Sequence, residues 1–141
     1  MMVLKKWCWA FFISVLFLSA AMVKAQPPIP FRIGGSVTLE DRKLTHEEVG
    51  NDFRVVVTRL DGTAYMPAAE SFKGLNASGN YLMNIPVHDS EDQPEGAIPG
   101  ETALLHVYGF GKKLSVLRPA EGKFVVGNGG STRRIDLIVE R

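Results

Sequence analysis

Polar and apolar positions alternate along most of the chain, in short runs broken by Gly, Pro and Asp. A period of two puts successive side chains on opposite faces of an extended strand. Residues 32–39 (RIGGSVTL) predict a first strand, with Gly34-Gly35 marking a bulge or the close approach of another backbone. Residues 53–60 (FRVVVTRL) predict a second, rich in β-branched valine. Asp61-Gly62 signals a tight hairpin turn, with residues 63–66 as a short partner strand. In residues 80–87 (NYLMNIPV), Tyr81, Met83, Ile85 and Val87 share one face, and Pro86, which has no N–H, ends the strand or sets it at an edge. Residues 103–108 (ALLHVY) are nearly continuously apolar and predict a central strand. Gly109-Phe110-Gly111-Lys112 turns it into residues 113–118, where Pro119 stops the pairing. Residues 124–126 are a short strand, and Gly127-Asn128-Gly129-Gly130 turns the chain again. The last strand points Ile135, Leu137 and Val139 inward and Arg134, Asp136, Ile138 and Glu140 outward.

After residue 25 no long run carries apolar residues at helical spacing. Thr45 and Glu48 are spaced like a capping box around one helical turn. About seven strands separated by turn signals predict an all-β fold, an antiparallel two-sheet sandwich, with a partly open barrel as the alternative. There is no internal repeat and no second domain in the pattern.

The first residues follow another rule. Lys5 and Lys6 precede an uncharged apolar stretch from Trp7 to Val23, and Val23-Lys24-Ala25 places small residues at the −3 and −1 positions of a cleavage site. This is the order of a secretory signal peptide over residues 1–25. The alternative is an uncleaved anchor, although a span of about 30 Å of hydrocarbon takes roughly 20 residues. A proline-rich linker over residues 26–31 then leads into a β-sandwich domain over residues 32–141. The expected location is secreted, periplasmic or at the cell surface.

Cleavage changes the charge and the chemistry. The whole chain of 141 residues carries a formal net charge of +1. Loss of Lys5, Lys6 and Lys24 makes it negative, which leaves no general basic face for a nucleic acid. Both tryptophans (Trp7 and Trp9) and the single cysteine, Cys8, also lie in the leader. The exported domain therefore has no disulfide and stands on its core alone, which a domain of this size can do.

The turn motifs carry a resemblance. Ile33-Gly34-Gly35-Ser36-Val37-Thr38, Gly62-Thr63-Ala64-Tyr65, Gly79-Asn80-Tyr81 with Ile85-Pro86, and Pro99-Gly100-Glu101-Thr102-Ala103 leading to Val107-Tyr108-Gly109 occur in that order. Gly129-Gly130-Ser131 then leads into Ile135-Asp136-Leu137. The chain resembles secreted bacterial immunoglobulin-like β-sandwich modules, near the carboxypeptidase regulatory-like (transthyretin-like) domains, over residues 32–140. Glu101 stands where Asp is usual in such modules. The resemblance implies a non-catalytic part of an exported or surface protein. It transfers no functional residue, because turn motifs specify a fold and not a site.

No arrangement of reactive residues points to an enzyme. The domain has no cysteine, no G-x-S-x-G elbow and no H-E-x-x-H. His46, His88 and His106 are scattered; His88 and His106 flank the same loop, but two histidines are too few for zinc. Asp89, Glu91, Asp92 and Glu95 make the segment 89–96 the most acidic, and such carboxylates can gather on Ca²⁺. Pro94 and the flanking strands exclude an EF-hand, and a solvated polar loop is the simpler expectation. Asn76-Ala77-Ser78 has glycosylation spacing but reads as a turn in a bacterial chain. Tyr65, Tyr81, Tyr108 and Phe110 are the aromatics able to meet a ligand. Of these, Tyr81 and Tyr108 are expected to pack in the core, and Phe110 to stand out at a hairpin tip. Arg133-Arg134 is a solvated strand start.

The expectation is an exported, non-enzymatic accessory or interaction module of the bacterial envelope or exterior. No catalytic, cofactor-binding or metal-ligating residue is assigned and no cofactor is expected. The partner is an unknown protein or a glycan at the envelope, not a nucleic acid, with a membrane involved only if the leader stays uncleaved. The alternative is a carbohydrate- or calcium-dependent ligand-binding module.

Overall fold

The computed structural model describes residues 28–141. The signal peptide, its cleavage site and the first linker residues, Gln26 and Pro27, lie outside the described residues. The architecture of the described residues is all-β: ten strands, one helical turn and one 3₁₀ turn. The strands are β1 (Phe31–Leu39), β2 (Arg42–Lys43), β3 (Arg54–Arg59), β4 (Ala64–Glu70), β5 (Asn80–Ile85), β6 (Thr102–Gly109), β7 (Lys112–Arg118), β8 (Lys123–Val125), β9 (Thr132–Arg134) and β10 (Leu137–Glu140). The helical turn α1 spans His46–Val49, and the Thr45 N–H donates to Glu48 Oε2 at 3.0 Å, closing one half of the expected capping box.

Strand β1 organises the sheet by changing partners along its length. Its first half pairs antiparallel with β5 and parallel with β9; its second half pairs parallel with β10 and antiparallel with β2. The parallel partner changes between Gly34 and Val37, while the β5 ladder runs on to Ser36. A Cβ on Gly35 would lie 2.5 Å from the Ile135 carbonyl oxygen, so only glycine admits the crossing chain. Strand β7 does the same on the other side: it leaves β6 after Leu114 and pairs with β10 from Ser115. The 3₁₀ turn (Ala120–Gly122) then returns the chain so that β8 pairs with the start of β6.

The result is one connected mixed sheet, in the order β2-β1-β10-β7-β6-β3-β4, with β5 and β9 on β1 and β8 on β6. The parallel pairings of β1 go beyond the antiparallel reading, and they require the last two strands to run beside the first. The expected final strand is also divided. Ile135 and Asp136 separate β9 from β10, because the two pieces pair with different halves of β1. The partner strand after Asp61-Gly62 is longer than expected. It reaches Glu70 as an edge strand, where Pro67 costs no ladder bond.

Alternation is kept nearly everywhere. In β1, Phe31, Ile33, Val37 and Leu39 are buried; in β6, Ala103, Leu105 and Val107 are. They join Val55, Val57, Tyr81, Met83, Ile85, Leu114, Phe124, Leu137 and Val139 in one core. Each large aliphatic side chain so buried contributes about 1.5–3 kcal/mol. Strand β6 is central, as its composition predicts, with β3 along one side and β7 and β8 sharing the other.

Candidate functional site

The side chains that β6 turns away from the core are Thr102, Leu104, His106 and Tyr108, all half-buried. Register places Arg54 of β3 beside Tyr108, Val56 beside His106 and Thr58 beside Leu104. On the other side Lys113 of β7 stands opposite Tyr108 and Lys123 of β8 opposite Leu104. The outer face of these strands therefore mixes aromatic and aliphatic surface with cations. The Arg54 guanidinium lies 5.2 Å from the centre of the Tyr108 ring, a cation–π contact that holds both side chains in place.

Two clefts open on this face. The larger, about 380 Å³, lies where β7 leaves β6, and is lined by Leu104, His106, Lys113, Ser115, Val116 and Glu121 among others. The smaller, about 210 Å³, lies at the β6–β7 hairpin between Asp52, Arg54, Tyr108, Lys112 and Lys113. Lys113 belongs to both. The hairpin turn is Phe110-Gly111, both at positive φ (54° and 75°), as a two-residue turn of the right twist demands. Gly111 N–H donates to Asp52 Oδ2 at 3.3 Å and ties the turn to the start of β3.

His106 Nε2 is hydrogen-bonded at 2.8 Å to the Thr58 hydroxyl, which also reaches the Arg59 carbonyl at 3.0 Å. Burial, then the nearby Lys113 charge, lowers the His106 pKa below the usual histidine value and favours the neutral ring. Ser115 and Glu121 line the same cleft, but Glu121 is ion-paired with Lys123 and no hydrogen bond joins Ser115 to His106.

The other candidates fall elsewhere. Tyr65 does not face a ligand: it is 0% exposed, with its hydroxyl on Glu101 Oε1 at 2.7 Å and Arg59 stacked 4.5 Å from its ring centre. Burial, reinforced by Glu101, pushes its phenol well above the ordinary value. Tyr81 is buried as expected and donates to the Ile135 carbonyl at 2.7 Å. Tyr108 is not a core residue, because its place in β6 has outward parity. Phe110 is 37% exposed, with Arg141 above its ring at 5.3 Å. Asn76 Oδ1 accepts from Ser78 and Asn80 N–H, which makes that segment a turn.

The acidic segment is organised by its own backbone. Asp89 Oδ1 accepts from Glu91 N–H at 3.0 Å and Asp92 N–H at 2.9 Å, and Asp89 and Gln93 exchange backbone hydrogen bonds. Among the described residues no three His, Cys, Asp or Glu side chains gather to hold a metal ion. The histidines have separate partners: His46 meets the Leu75 carbonyl, His88 the Pro94 carbonyl and His106 Thr58. Arg134 does not stand free, since its guanidinium holds Asp136. Among the described residues no helix is long and apolar enough to cross a membrane.

Sequence reading missed Arg54, Lys113 and Ser115. The outward parity of residues 54, 56 and 58 and of 104, 106 and 108 was available in the alternation; the strand neighbours that join them into one face were not. Comparison with family models, with curated proteins and with solved structures finds no match to this chain.

Proposed function

We propose that the chain is an exported, non-enzymatic β-sandwich module that acts by binding a component of the cell envelope or exterior through the outer face of β3, β6 and β7. The immunoglobulin-like, transthyretin-like class of the turn motifs belongs to this reading, and the all-β sheet is compatible with it. One observation carries the choice of face: half-exposed Val56, Leu104 and Tyr108 stand in register with Arg54 and Lys113 beside two adjoining clefts. Aromatic and arginine side chains grouped on a rigid sheet are the usual anchors of a recognition surface. A carbohydrate ligand is the second reading, favoured by the hydrogen-bonding side chains of His106, Ser115 and Glu121 in the larger cleft. The test is a pull-down of the exported chain against its own envelope fraction, repeated with Tyr108→Ala. A component retained by the parent and lost by the variant is the expected outcome. Retention indifferent to Tyr108→Ala and Arg54→Gln removes the face from the function, and no retained component removes the function.

A further inference from the structure

The smaller cleft concentrates positive charge. Among the described residues Arg54, Lys112 and Lys113 form no ion pair, as is true also of Arg32, Lys43, Arg59, Lys73, Arg118 and Arg133; what sets the three apart is that they line one cleft. The one acidic lining residue, Asp52, receives the Gly111 N–H. Three cations lining one cleft beside an aromatic ring are a seat for an oxyanion, and the Arg54–Tyr108 stacking prepays part of the ordering cost of the guanidinium.

The larger cleft beside it has a different chemistry. His106, Ser115 and Glu121 offer hydroxyl, imidazole and carboxylate groups, both donors and acceptors. Positive charge in one cleft and a mixed set of hydrogen-bond donors and acceptors in the next, joined through Lys113, match a polymer that alternates an anionic group with hydroxyl-bearing units. An extended peptide gains most from an open strand edge. Strand β6 offers none here beyond Leu105 and His106, since β3 pairs with one side and β7 and β8 with the other.

We propose that the two clefts together bind an acidic polysaccharide, its carboxylate or sulfate seated between Arg54 and Lys113 and its hydroxyls meeting His106, Ser115 and Glu121. This rests on the outer face being the interaction surface.

The test measures binding of the full chain to polygalacturonate, dextran sulfate, neutral dextran and polyglutamate at physiological ionic strength. At least one acidic polysaccharide should bind, the carboxylated and sulfated arms separating the two anions; dextran should not, and polyglutamate should bind more weakly. Arg54→Gln and Lys113→Gln should each weaken binding about threefold, the worth of one exposed ion pair. Lys73→Gln, at a separate groove, should leave it unchanged. Thermal melts check that each variant folds; if Arg54→Gln does not, Lys113→Gln carries the test. Polyglutamate binding as tightly as the polysaccharides, or Lys73→Gln weakening binding as much as Lys113→Gln, overturns the proposal. Failure of both acidic polysaccharides also overturns it. If an envelope component is still retained through Tyr108 in that case, the module reading stands without this ligand; if none is, both fall.

Discussion

Two aspartates do the same chemistry at very different reach. Asp89 Oδ1 accepts the N–H groups of Glu91 and Asp92, two and three residues away. Asp136 Oδ1 accepts the N–H and hydroxyl of Ser36, a hundred residues away, while Arg134 Nε donates to both its oxygens. Both carboxyls sit below the usual carboxylate range. The cause at Asp89 is the Asp92 and Glu91 N–H groups; at Asp136 it is first Arg134 and then the Ser36 N–H. The first aspartate closes a loop on itself. The second fastens the gap between β9 and β10 to the middle of β1, next to Gly35 and beneath the Tyr81 hydroxyl on Ile135. The first cap lies within a single loop, whereas the long-range one helps hold the first and last strands together.

The strongest way to break the comparison is to cut the core under the long-range corner. Leu137 is fully buried and pairs with Val37. Leu137→Ala should cost about 2–5 kcal/mol through lost burial and the cavity left behind. Denaturant melts check it, and a loss below about 1 kcal/mol would make β10 peripheral.

Asp136→Ala comes next. It leaves the Ser36 N–H and the Arg134 guanidinium without their acceptor, with water available to both because the site is exposed. The expected cost is about 1 kcal/mol at neutral pH. The sign with pH follows from the lowered carboxyl: its stabilisation is present above the unfolded value of about 4 and is lost as pH falls through the folded one. The variant should therefore lose less stability than the parent on acidification below about pH 4. Parallel curves for the two would show that this carboxylate does not contribute.

Asp89→Ala should have the smallest global effect. Its bonds lie within a solvent-exposed turn, so the denaturation midpoint should not move, while amide exchange at Glu91 and Asp92 should quicken. A lowered midpoint would mean that the loop is tied to the core more firmly than its hydrogen bonds show.

What the sequence determined by itself is what depends on neighbours in the chain. The alternation that buries Ile33, Met83, Leu105 and Val139, the Pro86 and Pro119 strand ends, the Thr45–Glu48 spacing and the Gly34-Gly35 close approach were all legible there. Each follows from side-chain parity, a missing N–H, a missing Cβ or a short-range cap, and each is marked by neighbouring residues even where, as at Gly35, the contact is with a distant segment. Tertiary structure alone decided the parallel pairing of β1 with β9 and β10, the break at Ile135-Asp136, and the burial of Tyr65 against Arg59 and Glu101. It also brought Arg54, Tyr108 and Lys113 into one row, because strand register is set by which apolar faces must meet across the core. That choice is made between segments far apart in the chain, where no local pattern records it.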